Sequence, residues 1–408
     1  MSAAFLLAAL ACGGEDRPVY GPDPFARDPA PLGALGGKIV TSNSGDDSMS
    51  VIDPATPGPA GRLPVGFNPV ELEGPHHLTA DPTGRFIFMN LSLAVMGSGS
   101  GPHGVHGGGD QPGFVLKLDT QTGREIDRVK VDPNPGDSTL SADGHTLYVT
   151  HYDDIKWRRD GAAANLAVID VDRMVVRQRV PLCPAAHGVR LSRAGTTLYA
   201  TCGPDQMALV DLRDTTVPVL PVRLVQVPGG VPADSRVCQR CPYALAVAPD
   251  DTVWLSNLGP NGGTGGRGSV EIFDPNVGGG SFDPMRRIDV RGRPIFAAFL
   301  SDPALGYRAV VPEQAGPGDW VNVFSPGGAG VAPMRLDTLD LDPLQCLNAH
   351  MMLIDAIGAR AQLICEGDHR GPGTVVWLDL AASAVLGAVP VGVFPDGLVL
   401  VPPLALAP

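Results

Sequence analysis

Three histidines, His76, His187 and His350, each open a short apolar run: "HHLTADPTG", "HGVRLSRAG" and "HMMLIDAIG". Neutral imidazoles drawn from separate segments are the side chains that hold copper or zinc. If the three runs are equivalent elements, their rings meet, and one transition-metal ion would suit them. His77 adjoins the first, and His151 and His369 follow apolar runs elsewhere, so both join the candidate ligand set. Asp153, Asp154, Glu313, Glu366 and Asp368 also come just after apolar runs. A Glu313–His151 pair would suit general acid–base work. Against these readings, loops collect polar residues without any site, and most Asp and Glu are simply solvated.

The cysteines carry a second pattern. "CPAAHGVRLSRAGTTLYATC" and "CLNAHMMLIDAIGARAQLIC" share the arrangement Cys-x3-His-x14-Cys, running from Cys183 to Cys202 and from Cys346 to Cys365. Cys238 and Cys241 lie closer together, in "RVCQRCPYAL". Their spacing suits a disulfide. A redox motif would need a thioredoxin-like βαβ unit, and none is evident. Pro242 follows Cys241 where haem attachment requires His.

The elements that must position these residues come from an internal repeat. An apolar run, a turn and a second apolar run recur as "HHLTADPTGRFIFMN", "STLSADGHTLYVTH", "HGVRLSRAGTTLYATC" and "YALAVAPDDTVWLSN", with weaker copies after residue 295. A second series, "MSVIDPATPG", "FVLKLDTQTG", "LAVIDVDRM", "ALVDLRD", "VEIFDPN", "NVFSPGG" and "VVWLDLA", alternates with it. Each unit reads as strand a, tight turn, strand b, loop, strand c, turn, strand d. Four antiparallel strands in about 40–55 residues is the arithmetic of a propeller blade. The sequence therefore predicts an all-β, seven-bladed β-propeller over residues 37–402. Its first blade has b, c and d strands at the N-terminal end but no a strand, and the last a strand, 397–401, has nothing after it. Pairing the two closes the ring and removes an open sheet edge. Strand a is innermost, so His76, His187 and His350 are expected at the mouth of the central channel. Cys183 precedes strand a and Cys202 ends strand b of one blade, and antiparallel pairing brings them together. The same holds for Cys346 and Cys365.

"LYVTH" and "LYATC", each after "SADG" or "SRAG", resemble the Tyr-Val-Thr-Asn repeat of bacterial β-propellers, a family that lies near the propeller lactonases. The resemblance covers roughly residues 37–402 and implies fold more than function. The placing of histidines at an axis resembles, in position only, the propeller domain of nitrous oxide reductase, whose copper cluster is held by histidines. These resemblances imply copper or zinc as the cofactor to test, and lactonase-like hydrolysis as an activity to test.

The N-terminus reads "MSAAFLLAALACGGEDRP". It resembles the end of a bacterial lipoprotein signal peptide, which implies lipidation of Cys12, an outer-membrane address and a periplasmic or cell-surface position. Residues 13–36, rich in Pro and Gly, read as a tether, and 403–408 as a tail. Without Cys12 six cysteines remain, an even number that suits an oxidising compartment. The net charge of −13 lacks any basic patch, which argues against nucleic acid. The resulting expectation is a monomeric, lipid-anchored binding or scaffold module that takes a protein, peptide or glycan across its histidine-rich mouth. A metal-binding protein or metal-dependent enzyme, or a lactonase-like hydrolase, is the alternative. The insertion "MGSGSGPHGVHGGGDQPG" is no phosphate cradle, because no Lys sits in the required place.

Overall fold

In the computed structural model the described residues are 34–66, 72–92, 111–263, 267–283, 286–314, 319–328, 330–342, 344–355 and 359–404. Cys12, most of the tether, His103, His106 and residues 405–408 lie outside them. No helix among the described residues is long and apolar enough to cross a membrane.

The repeated turn explains why these stretches become hairpins. In blade 3 the Ser141 amide donates to Thr146 (2.8 Å) and the Gly144 amide to Ser141 (2.9 Å). Blade 4 repeats this with Ser192, Thr197 and Gly195, and blade 2 with Asp81, Phe86 and Gly84. The three glycines sit at φ of 68–78°, a backbone region costly for residues with a Cβ.

Seven antiparallel sheets result, each with four strands in the main path. Blades 2, 3 and 4 begin with the inner strands Pro75–Ala80, Pro135–Leu140 and Val189–Leu191. Blades 5 and 7 begin with Pro242–Val247 and Ala349–Asp355. In blade 6 the inner strand is split into Arg293–Pro294 and Ala298–Asp302, both paired with Gly306–Gln314. In blade 5 the outer strand is split in the same way, into Ser281–Phe282 and Ile288–Asp289. Blade 1 is the composite. Pro395–Leu400 pairs with Ile39–Asn43, in the order Ile39 to Leu400, Val40 to Val399, Thr41 to Leu398. Leu35, near the end of the proposed tether, is fully buried with Val401 and Val40 in the core between blades 1 and 2.

The core lies in the slots between blades. Phe88 and Val115 of blade 2 meet Leu147, Val149 and Ile169 of blade 3, while Trp254 of blade 5 meets Ala309 and Phe324 of blade 6. All three cysteine pairs are joined. Cα separations are 5.7 Å for Cys183–Cys202 and 5.2 Å for Cys346–Cys365, and Cys238–Cys241 closes the short loop entering blade 5. Replacing Cys183 and Cys202 together by Ser is expected to cost about 3 kcal/mol, the chain-entropy value for a loop of this size. Urea unfolding followed by tryptophan fluorescence checks it; an unchanged midpoint rejects it.

Candidate metal centre at the propeller mouth

The inner strands deliver one register of side chains to the axis. The residues after Pro75, Pro135, Pro242 and Pro395 are His76, Gly136, Tyr243 and Asp396; His187 and His350 follow Ala186 and Ala349. Gly136 packs against His187: a Cβ there would stand in ordinary contact, 3.4 Å from the ring. The imidazoles are buried, with exposures of 2% for His76, 1% for His77 and 0% for His187 and His350.

Three of them converge. Ligand atoms of His76, His77 and His187 all lie within 4.8 Å of one another. The His76 and His187 ring centroids are 5.6 Å apart, and His77 is 5.2 Å from His187 and 5.7 Å from His350. Of the expected trio of His76, His187 and His350, the first two thus stand together. His77 completes the group, and His350 lies on its far side.

The ring nitrogens are oriented from behind. Asp396 accepts from the hydroxyls of Ser42 (3.2 Å) and Ser44 (2.6 Å), so His76 Nδ1, at 2.7 Å, is the donor to its carboxylate. His187 Nδ1 donates to the Tyr243 carbonyl at 3.1 Å, and its ring stacks on the Tyr243 ring at 4.1 Å. Each Nδ1 therefore carries a hydrogen, which in the neutral ring leaves Nε2 with a lone pair. The two Nε2 atoms face one another at 3.4 Å. His77 Nδ1 stands 3.2 Å from Asp137, whose other oxygen pairs with Arg190.

Burial governs the electrostatics. It pushes His77 down to about 4, helped by the neighbouring His76, and holds His187 well below the ordinary histidine range. His350 is lowered in the same way. Burial alone would raise Asp137, but the Arg190 charge, and after it the His77 hydrogen bond, outweigh it and hold its carboxyl far below the usual range. The result is a buried pocket in which His77, His187 and His350 are held toward their neutral forms, backed by carboxylates. Metal-binding histidines are commonly oriented by such carboxylates behind them.

The other sequence candidates lie elsewhere. His151 Nδ1 donates to the Asn165 carbonyl at 2.7 Å, and the ring lines a separate cavity of about 270 Å³ with Asp132, Asp153 and Lys156. His369 bonds Glu366 at 2.7 Å and stacks on Phe394 at 3.9 Å. Neither makes a ring contact with the three converging histidines. Glu313 is fully buried, and its oxygens accept from the amides of Arg291 (2.6 Å) and Gly292 (2.7 Å) and from Asn322 (2.8 Å). It braces a turn, and no contact joins it to His151. Asp153 caps the helix Asp154–Asp160 by accepting from the Lys156 amide, and Asp154 pairs with Arg158 at 2.8 Å. Asp368 accepts the amides of Arg370 and Gly371 in an exposed turn. A second group, Asp205 with Cys238 and Cys241, has ligand-like spacing. Its cysteines are bonded to each other, and Asp205 already accepts four amides, those of Val231, Gln239, Arg240 and Cys241.

Asp137, Asp396, Arg190 and Tyr243 were missing from the sequence reading. The signal for two of them was present: Asp396 and Tyr243 occupy the register of His76 once the inner strands are aligned on their prolines.

No family model and no curated protein matches the chain. Solved structures do match, at low identity. A functionally unknown protein from Desulfotomaculum acetoxidans has a TM-score of 0.63 at 12% identity, covering 90% of this chain and 100% of that one. A 6-phosphogluconolactonase-like propeller from Bacteroides uniformis has a TM-score of 0.61 at 14% identity, covering 88% and 98%. The periplasmic gluconolactonase of Pseudomonas aeruginosa has a TM-score of 0.58 at 16% identity, covering 89% and 98%. At these identities the likeness establishes the fold alone: the chain is a seven-bladed β-propeller whose structural neighbours include lactonase-type propellers.

Proposed function

We propose that the protein is a metal-binding propeller in which His76, His77 and His187 hold one transition-metal ion, zinc or copper, at the axial mouth. The observation that carries this reading is the pair of lone-paired Nε2 atoms at 3.4 Å. Two lone pairs that close repel unless something positive lies between them. A proton there would make a buried imidazolium, which burial disfavours. An ion at about 2.0–2.1 Å from each nitrogen, with tetrahedral angles, needs its ligands about 3.3–3.4 Å apart. His77, with a ligand atom within 4.8 Å of theirs, is the third ligand. Three protein ligands leave a fourth position for water or substrate, the pattern of catalytic rather than structural zinc. When bound, the ion would supply Lewis acidity at that open position. This chain's residues would orient the imidazoles through Asp396 and the Tyr243 carbonyl and exclude bulk water. Burial favours an ion or small ligand over a macromolecule as the direct occupant of the histidines. A protein, peptide or glycan would contact the rim.

A lactonase-like hydrolase is the second reading, favoured by the gluconolactonase-type neighbours and by that open position. The three disulfides support an extracytoplasmic address, and lipid anchoring at Cys12 belongs to the same proposal. The test is elemental analysis of protein purified without a histidine tag and incubated with Zn(II) or Cu(II), then dialysed. The expected result is near one equivalent or more, falling in His187→Asn. Less than about 0.1 equivalent of either metal sinks the reading, since specific sites fill near stoichiometrically.

A further inference from the structure

Beside the histidine mouth lies a cavity that the metal site does not use. Its volume is about 270 Å³, and its wall includes His151, Asp132, Asn165, Asp153 and Lys156. His151 is 2% exposed. Its Nδ1 donates to the Asn165 carbonyl at 2.7 Å, and burial holds the ring toward its neutral form, so Nε2 carries a lone pair. That Nε2 has no hydrogen-bond partner among the described residues. A buried acceptor left without a donor is costly, and such an atom calls for a bound one.

The charges along the wall narrow the choice of donor. Asp132 is already matched, by Arg179 and by the Asn165 side-chain amide, both at 2.9 Å. Asp153 accepts the Lys156 amide at 2.9 Å, which fixes its carboxylate on the cavity wall. The Lys156 ammonium has no ion-pair partner among the described residues. The wall therefore sets two acceptors, His151 Nε2 and Asp153, against one cation. Pro133 and four alanines make up the remainder, an apolar surface for a short side chain. Pockets for drug-sized ligands run to about 300–1,000 Å³, so the occupant is smaller than those.

We propose that the cavity binds a small zwitterion, a free α-amino acid with a short side chain. Its ammonium donates to His151 Nε2 and to Asp153, its carboxylate meets Lys156, and its side chain rests on the alanines. A simple anion fits less well, because it leaves Nε2 without a donor and sets its charge beside Asp153. Tyr152, the residue after His151, meets the His187 ring edge-on at 5.3 Å, so the cavity adjoins the metal-binding mouth without sharing its ligands. The proposal is independent of whether an ion occupies the histidines.

The experiment is equilibrium dialysis of the disulfide-intact protein against radiolabelled L-alanine, in excess EDTA so that chelation of an ion at the histidines cannot imitate binding. One saturable equivalent is expected. Lys156→Met and His151→Leu should each weaken it at least about tenfold, the scale of one lost charge-assisted hydrogen bond. Propionate and ethylamine, each lacking one of the two charges, should not compete. No saturable binding up to about 10 mM L-alanine overturns the proposal and leaves water as the donor to Nε2. Binding undiminished in Lys156→Met places the amino acid elsewhere and also overturns it. Competition by propionate as strong as that of unlabelled L-alanine overturns the zwitterion. Should His151→Leu fail to fold, Lys156→Met, at a half-buried position outside the core, decides alone.

Discussion

Deletion of residues 395–408 is expected to abolish cooperative folding of the whole protein, not only of the first blade. The segment supplies the inner strand of blade 1, pairs along Ile39–Asn43, and buries Leu398 and Val401. Two such side chains contribute about 1.5–3 kcal/mol each. To this the ladder hydrogen bonds and the buried Asp396, with its bonds to Ser42, Ser44 and His76, must be added. A native domain has a margin of only about 5–15 kcal/mol. Losing the strand also reopens a sheet edge on Ile39–Asn43, a template for association with other chains. Gel filtration and near-ultraviolet circular dichroism check the outcome. A truncated monomer with a native spectrum and an unfolding midpoint close to wild type would show that ring closure is not what holds the blades.

The second large effect concerns a charge. Arg190→Met is expected to destabilise the protein by about 2–3 kcal/mol at neutral pH, below the full range for a buried pair because the Arg190 side chain is 28% exposed. Asp137 would then be left with His77 and the amides of Ser138 (2.8 Å) and Val189 (3.2 Å). Its depressed titration in the native state sets the sign of the pH dependence. The contribution of a carboxylate held low is present above its unfolded value, near 3.9, and fades as the pH falls below it. The deficit of the variant should therefore be greatest at neutral pH and shrink on acidification toward pH 4, where protonation relieves the unpaired charge. Parallel urea titrations at several pH values measure it. A deficit below about 1 kcal/mol, or one that grows in acid, contradicts the assignment.

The architecture was legible because each blade repeats the same local chemistry. The turn that ends "LSADG" or "LSRAG" needs a residue tolerant of positive φ, and glycine supplies it in blades 2, 3 and 4. The disulfides followed, since pairing of the two inner strands decides which cysteines meet. The composite blade was legible because one unit lacked an a strand and another lacked everything else. Details of the mouth were less so. His77 and His350 exchange places in the candidate set because adjacent residues on an inner strand differ in which side of the channel they reach, and spacing alone does not say which. The acids were misleading for a similar reason. Glu313, Asp153 and Asp368 sit where catalytic groups could sit, but main-chain amides claim their oxygens. Backbone donors leave no signature in a sequence. The helix Asp154–Asp160 was hidden because "DIKWRRD" is short and charged, and its one anchor is the buried Trp157, which donates to the Ser235 carbonyl at 3.1 Å.

Asp396 gives the molecule an order of assembly. It is carried by the strand that closes the ring, yet it sets the tautomer of a histidine some 320 positions earlier in the sequence. Until that strand docks, His76 lacks the carboxylate that orients its ring, so the closed circle is what points it inward.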